Sequence, residues 1–260
     1  MLELGFGISV AVQPSEQGYV NTHSLLLDGT DDYFDTNNTF QTLLRNCEST
    51  GFTFSTWINL DNTSGSQAIF GNQDSGSVVN GLIGFYFSGT ALYFIIRGKH
   101  DDNSNKSHLS GVFTTAAADE WNMWSVTFTP GASDTDVGTF TIYKNGVAQS
   151  STVILNTFTG QALSNIQFDN NLHIGNWNGL DYDLDGHMDQ WAFWSDDLPA
   201  SNLLALAQKP PHDYTVNLGN YQGAGKLDVY YKFDNNTDDA AETSNGSLAN
   251  DAAFDTEVPS

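Results

Sequence analysis

The stretch Asp181-Tyr-Asp-Leu-Asp-Gly-His-Met-Asp189 sets carboxylates at alternate positions ahead of a glycine. Hard cations such as calcium take several oxygen ligands, and acidic side chains spaced this way supply them. Asp-x-Asp-x-Asp-Gly is also the first half of an EF-hand loop. The position that needs a bidentate Glu is Ala192, however, and the flanks read as strands, so that site is rejected. The competing reading is a solvated acidic turn. Just upstream, Asn176-Trp-Asn-Gly-Leu-Asp-Tyr182 places Trp177 and Tyr182 in a Gly/Asn loop. Saccharide recognition stacks an aromatic ring on the apolar face of a sugar and uses Asp and Asn for directional hydrogen bonds. An exposed loop Trp is costly without a use, so Trp177 leads the ligand-binding candidates, with Asn178, Tyr182 and Asp183 beside it.

Other chemistries fit less well. Glycoside hydrolysis needs two carboxyls flanking the scissile bond, about 5 Å apart for retention or ~6.5–9.5 Å for inversion. Glu3, Glu16, Glu48, Glu120, Glu242 and Glu257 include no two spaced to share a strand face. Asp181, Asp183 and Asp185 alternate on one face if extended, so an Asp pair stays open by spacing. Among His23, His100, His108, His173, His187 and His212 there is no helical His pair and no His/Cys cluster. His173 and His187 read as packing or hydrogen-bonding groups. No nucleophile elbow or phosphate-binding glycine loop is found. The single Cys47 permits no internal disulfide and reads as a small buried hydrophobe.

These residues must be held by a chain of 260 residues, enough for one large all-β domain. Eight basic side chains stand against 31 acidic ones, a formal charge of −23. Phosphate backbones and anionic membrane surfaces are bound through Lys and Arg, so nucleic acid is excluded as a partner. No apolar run approaches the roughly 20 residues of a membrane span, so membrane insertion is not expected either. The start, Met1 to Gln13, carries Glu3 and no cation and fails as a secretory signal.

β signals dominate the chain. Phe52, Phe54, Thr56 and Ile58 alternate with Thr53, Ser55 and Trp57 in one strand. Apolar runs at 68–70, 81–87, 91–97, 121–128, 138–143, 171–175 and 189–194 are bounded by turn residues. Lys144-Asn-Gly-Val147 is a strong hairpin signal, and Ser88-Gly-Thr is a second. The one persuasive helix is 199–208, opened by Pro199 and closed by Pro210-Pro211. Trp57, Trp121, Trp124, Trp191 and Trp194 lie in alternating strands and read as core. A long loop, 97–106, holds Arg97, Lys99 and Lys106. The expected fold is an all-β antiparallel sandwich with one short helix near its end. Residues 1–20 form an N-terminal arm, 21–208 the sandwich, and 209–260 an extension with one strand and an acidic tail that would not fold alone.

Four segments in order resemble the laminin-G-like branch of the concanavalin A-like lectin/glucanase superfamily. They are Ser24-Leu-Leu-Leu-Asp-Gly-Thr-Asp-Asp-Tyr33, Phe52-Thr-Phe-Ser-Thr-Trp-Ile58, and Trp121 to Thr127 with Ile142-Tyr-Lys-Asn-Gly146. The last is Leu172-His-Ile-Gly175 with Leu184-Asp-Gly-His-Met-Asp-Gln-Trp-Ala-Phe-Trp194. The resemblance covers about 21–208 and implies a jelly-roll sandwich. It further implies that the opening turn and the late strand meet around a calcium ion, with Asp28 or Asp32 joining Asp185 or Asp189. The C-terminal residues 227–236 and 252–259 are similar to a tail carried by such modules in bacteriophage virion proteins. The resemblance therefore implies a non-catalytic, glycan-binding lectin-like module on a virion surface or outside a cell. Its other partners would be virion proteins or copies of itself. A purely structural assembly protein and a glycan-degrading hydrolase are the alternatives.

Overall fold

The computed structural model describes residues 19–73, 81–100, 102–113, 116–177, 182–208 and 211–260. Its strands in chain order are β1 (Ser24–Asp28), β2 (Tyr33–Asp35), β3 (Phe52–Leu60), β4 (Ser66–Gln73), β5 (Leu82–Ser88), β6 (Ala91–Lys99), β7 (Asn105–Val112) and β8 (Asn122–Thr129). There follow β9 (Thr139–Lys144), β10 (Val147–Ala148), β11 (Thr152–Asn156), β12 (His173–Ile174), β13 (Asp185–Trp194), β14 (Leu227–Tyr231), β15 (Ser247–Ala249) and β16 (Ala253–Asp255). Among the described residues three short α-helices interrupt them, α1 (Gln41–Arg45), α2 (Gly160–Ser164) and α3 (Ala200–Leu206), with a single 3-10 turn at Ala224–Lys226. The expected helix is α3; the other two are additions.

The strands form two antiparallel sheets packed as a sandwich. The first runs β10-β9-β8-β3-β13-β1-β16, with β14 also on β13; the second runs β11-β7-β6-β5-β4-β12-β2-β15. Strand β13 holds the first sheet together by changing partner along its length. Its beginning pairs with β1, Met188 opposite Leu25, and its end with β14, Trp191 opposite Tyr231. The change falls at a β-bulge around Gln190, whose φ of 47° is rare for a residue with a side chain. The β9–β10 hairpin has the turn its Asn-Gly requires, with Asn145 at φ 51° and Gly146 at φ 73°.

Alternation in β3 is as the sequence predicts, yet every one of its residues is buried. Phe52, Phe54 and Ile58 face the core between the sheets, while Trp57 faces a second cluster with Trp194, Leu203, Tyr214, Tyr221 and Tyr230. That cluster exists because α3 and the chain around 214–230 cover the outer side of the first sheet. The five expected core tryptophans are all buried, divided between the two clusters. Cys47 is buried too, and burial raises its thiol pKa to about 12.

The C-terminal segment differs from the expected single strand and tail. It supplies three strands: β14 on β13, β15 on β2 and β16 on β1, so it closes edges of both sheets. Asp239 organises the intervening turn by accepting hydrogen bonds from the amides of Tyr230, Ala241, Thr243 and Ser244. Acidic residues that cannot form a core of their own are here spent on turn amides, and the apolar Leu248 and Phe254 pack onto the sandwich core.

Candidate functional site: the outer face of the second sheet

The second sheet has one face in the core and one outside, and β6 shows which residues go where. Leu92, Phe94 and Ile96 are buried inward; Ala91, Tyr93, Ile95, Arg97 and Lys99 alternate with them and stay half-exposed on the outer face. The Ser88-Gly-Thr turn sets the β5–β6 register, with Gly89 at φ 60° and Ser88 opposite Ala91, which brings Tyr86 opposite Tyr93. Their rings stack with centroids 5.4 Å apart at 19°. Tyr182 stands 5.6 Å from Tyr86, and Phe113, 47% exposed, meets Tyr93 edge-on at 5.8 Å. Burial and the neighbouring phenols push the Tyr86 hydroxyl pKa up.

A row across the sheet explains the floor of this surface. Leu109 lies opposite Ile95, Ile95 opposite Gly84, Gly84 opposite Gly71, and Gly71 opposite His173. The two adjacent glycines leave a trough, and the Trp177 indole fills it. A Cβ on Gly71 would meet Trp177 Cγ at 2.5 Å, and one on Gly84 would meet its Cη2 at 2.6 Å.

The sequence-based candidates are therefore placed differently from expectation. Trp177 is 4% exposed, so it is the bed of the surface rather than a free loop ring. Tyr182 lies on that surface, 5.9 Å from Trp177. Asp183 accepts a hydrogen bond from Asn176 Nδ2. Asn178 lies outside the described residues, as does Asp181 of the alternating Asp set. The supposed loop 97–106 is strand at both ends: Arg97 and Lys99 belong to β6 and Lys106 to β7. Tyr86, Tyr93 and Phe113 were not among the sequence candidates, although a two-residue turn with strict alternation is enough to pair Tyr86 with Tyr93; Arg97 was singled out only as part of the basic loop.

The acidic residues separate into three environments. Asp28, Asp31 and Asp32 have carboxylate oxygens within 4.8 Å of one another. Asp32 is the buried member; its two oxygens accept the amides of Asp28 and Asp251, and burial and the Asp28 charge raise its pKa. An all-oxygen set of this kind can hold a hard metal ion. Asp185 sits opposite Asp28 in the β1–β13 register but outside this trio, hydrogen-bonded to Asn62 Nδ2, with its pKa raised by burial and by Asp61. Asp189 does not join them at all. It is fully buried, accepts hydrogen bonds from Asn21 Nδ2 (2.5 Å) and the Gln190 amide (2.8 Å), and burial holds its pKa far above the usual carboxylate range. The expected grouping of Asp28 and Asp32 with Asp189 is thus corrected: Asp189 is four residues further along β13, under the layer that covers the first sheet. Asp31 was missed.

Known proteins agree with the architecture. No curated protein matches the sequence. Among solved structures, a Bacteroides ovatus protein described as a candidate carbohydrate binding protein aligns over 92% of this chain and 61% of its own, at 17% identity and TM-score 0.58. The chain thus spans about 61% of that protein's length. The CBM40 of the Ruminococcus gnavus IT-sialidase, bound to α2,3 sialyllactose, aligns over 71% of this chain and 96% of its own, at 10% identity and TM-score 0.52. A leech intramolecular trans-sialidase aligns over 75% of this chain and 29% of its own, at 14% identity and TM-score 0.50. At such identities the likeness is one of fold. A laminin-G-type sequence profile (Laminin_G_3), described as the concanavalin A-like lectin/glucanases superfamily, matches residues 28–203. With more than half of its length matched, the chain belongs to the concanavalin A-like lectin/glucanases superfamily.

Proposed function

We propose that the chain is a non-catalytic glycan-binding module whose binding surface is the outer face of the second sheet. The observation that carries this reading is the Tyr86–Tyr93 stack, half-exposed, flanked by Tyr182 and Phe113 and floored by Trp177. Aromatic faces of this kind match the apolar faces of sugar rings. The carbohydrate-binding fold neighbours support it. A non-catalytic role is supported by Asp189: this carboxyl, whose pKa burial raises, is sealed beneath the layer over the first sheet, away from the aromatic face.

Asp28, Asp31 and Asp32 would hold calcium, fixing the turn after β1. Display on a bacteriophage particle rests on the similarity of residues 227–236 and 252–259 to virion-protein tails. Virion neighbours or further copies of the chain would then be its protein partners.

The test is titration of the full chain with a broad oligosaccharide panel, in calcium and with a chelator. Binding is expected for at least one glycan, and Tyr93→Ala should weaken it by up to about tenfold, the loss of one aromatic stacking platform. An intact fold that binds no glycan would replace this reading by the structural one.

A further inference from the structure

The outer face is not uniform along β6. Its aromatic end is Tyr93; four residues on comes Arg97 and two further Lys99, all on the same face by strand alternation. At ~3.3 Å per residue, Arg97 stands about 13 Å from Tyr93, with Ile95 between them. The sequence has only eight Lys and Arg against 31 Asp and Glu, so two cations on one face of one strand are a local exception to a repelling surface.

Arg97 is also held in place. Its Nε donates to Ser107 Oγ at 3.2 Å, across the β6–β7 pair in which the two residues are opposite each other. Among the described residues no carboxylate lies within ion-pairing distance of Arg97 or Lys99. The nearby Asp102 is engaged within its own turn, by the Ser104 amide and by His100 at 3.5 Å. Lys106, the third cation of this end, lies opposite Gly98, whose missing side chain would point at Ala162 of α2, so it belongs to the other face. An arginine kept half-buried beside an apolar row, with no acid among the described residues as ion-pair partner, is arranged to receive a planar oxyanion in two parallel hydrogen bonds.

We infer that this face takes a glycan carrying a single acidic sugar, a neutral ring stacking on Tyr86 and Tyr93 while the carboxylate meets Arg97 with Lys99 beside it. This rests on the glycan-binding reading and adds its charge class. The net charge of −23 sets the limit. Screening acts over about 8 Å at physiological ionic strength, so one carboxylate at Arg97 feels mainly its own cations, while a densely charged polymer also meets the acidic surface.

The experiment titrates the full chain with matched pairs that differ by one acidic sugar, 3′-sialyllactose against lactose and cellobiouronate against cellobiose. It compares the native chain with Arg97→Gln and Tyr93→Ala, at low and high salt, with melting curves to show that each variant is folded. The inference expects at least tenfold tighter binding of the acid within a pair, lost in R97Q and reduced by salt, while Y93A weakens both members of the pair. Equal binding of acid and neutral sugars, or acid preference unchanged in R97Q, overturns the inference and leaves the glycan-binding reading standing. No binding to any saccharide, or self-association through this face that R97Q and Y93A abolish, overturns both.

Discussion

The Trp177 indole packs against Gly84, so close that a methyl group on that glycine would come within 2.6 Å of Cη2. Gly71, opposite Gly84 on β4, is approached in the same way at the other end of the ring system. Neither glycine has positive φ, so an alanine there is opposed by sterics and not by the backbone. Gly84→Ala is expected to lift Trp177 out of its trough at a cost of about 1–3 kcal/mol, the usual range for overpacking. It should also shift Trp177 burial and the position of Tyr182 and Tyr86 above it. Urea denaturation and tryptophan quenching by acrylamide measure the two effects; unchanged stability would mean the contact is not tight.

Asp189 gives a prediction with a definite sign. Its folded pKa is raised, chiefly by burial, whereas in the unfolded chain it ionises near 4. Between those two values the folded state holds a proton that the unfolded state lacks, so stability falls as pH rises from about 4 through the folded pKa. Asp189→Asn keeps a side chain able to meet Asn21 and the Gln190 amide while removing the ionisation. The pH dependence of unfolding should flatten in this variant, and its stability at neutral pH should be at least that of the native chain. Equilibrium denaturation at several pH values reads this directly. Parallel curves for the two proteins would place the titration elsewhere.

The Asp28–Asp31–Asp32 trio is tested by metal. A ligand bound to the folded state alone stabilises it by RT ln(1 + [L]/Kd), about 2.7 kcal/mol at a hundredfold excess over Kd. Calcium should therefore raise the melting temperature of the native chain, and Asp31→Asn should remove most of that gain. Asp31 is the better substitution because Asp32 also accepts the backbone amides of Asp28 and Asp251. A melting temperature indifferent to calcium and chelator would rule out the ion.

Removing residues 245–260 strips β15 from β2 and β16 from β1, with the contacts of Leu248 and Phe254 on the core. Each side chain is partly buried, so the loss should be roughly 2–4 kcal/mol at the usual area coefficient, and two strand edges become available for association. Circular dichroism melts and sedimentation velocity measure both. A truncated chain as stable and monomeric as the full one would make the segment an appendage after all.

Local chemistry was legible in the sequence wherever the cause is local. The Asn145-Gly146 turn needs positive φ at both positions, Pro199 presets the entry to α3, and period-two alternation puts Phe52 and Phe54 on one side of β3 and Trp57 on the other. The ordered strand-and-turn segments were enough to indicate the concanavalin A-like sandwich, and the family match agrees. The Tyr86–Tyr93 pair was readable too, from the turn between β5 and β6.

What tertiary structure alone decided is which surfaces meet. Trp177 was expected to be exposed because its neighbours Asn176 and Asn178 read as loop. It is buried because Gly71 and Gly84, about a hundred residues earlier in sequence, come side by side in the sheet and leave room for one indole. Asp189 is in the same acidic run as Asp185, but the β-bulge at Gln190 and the layer over the first sheet take it into the interior, where a charge is costly. The C-terminal tail shows the same division. Its composition says that it cannot fold by itself, and only the free edges of β1 and β2 determine where its strands go.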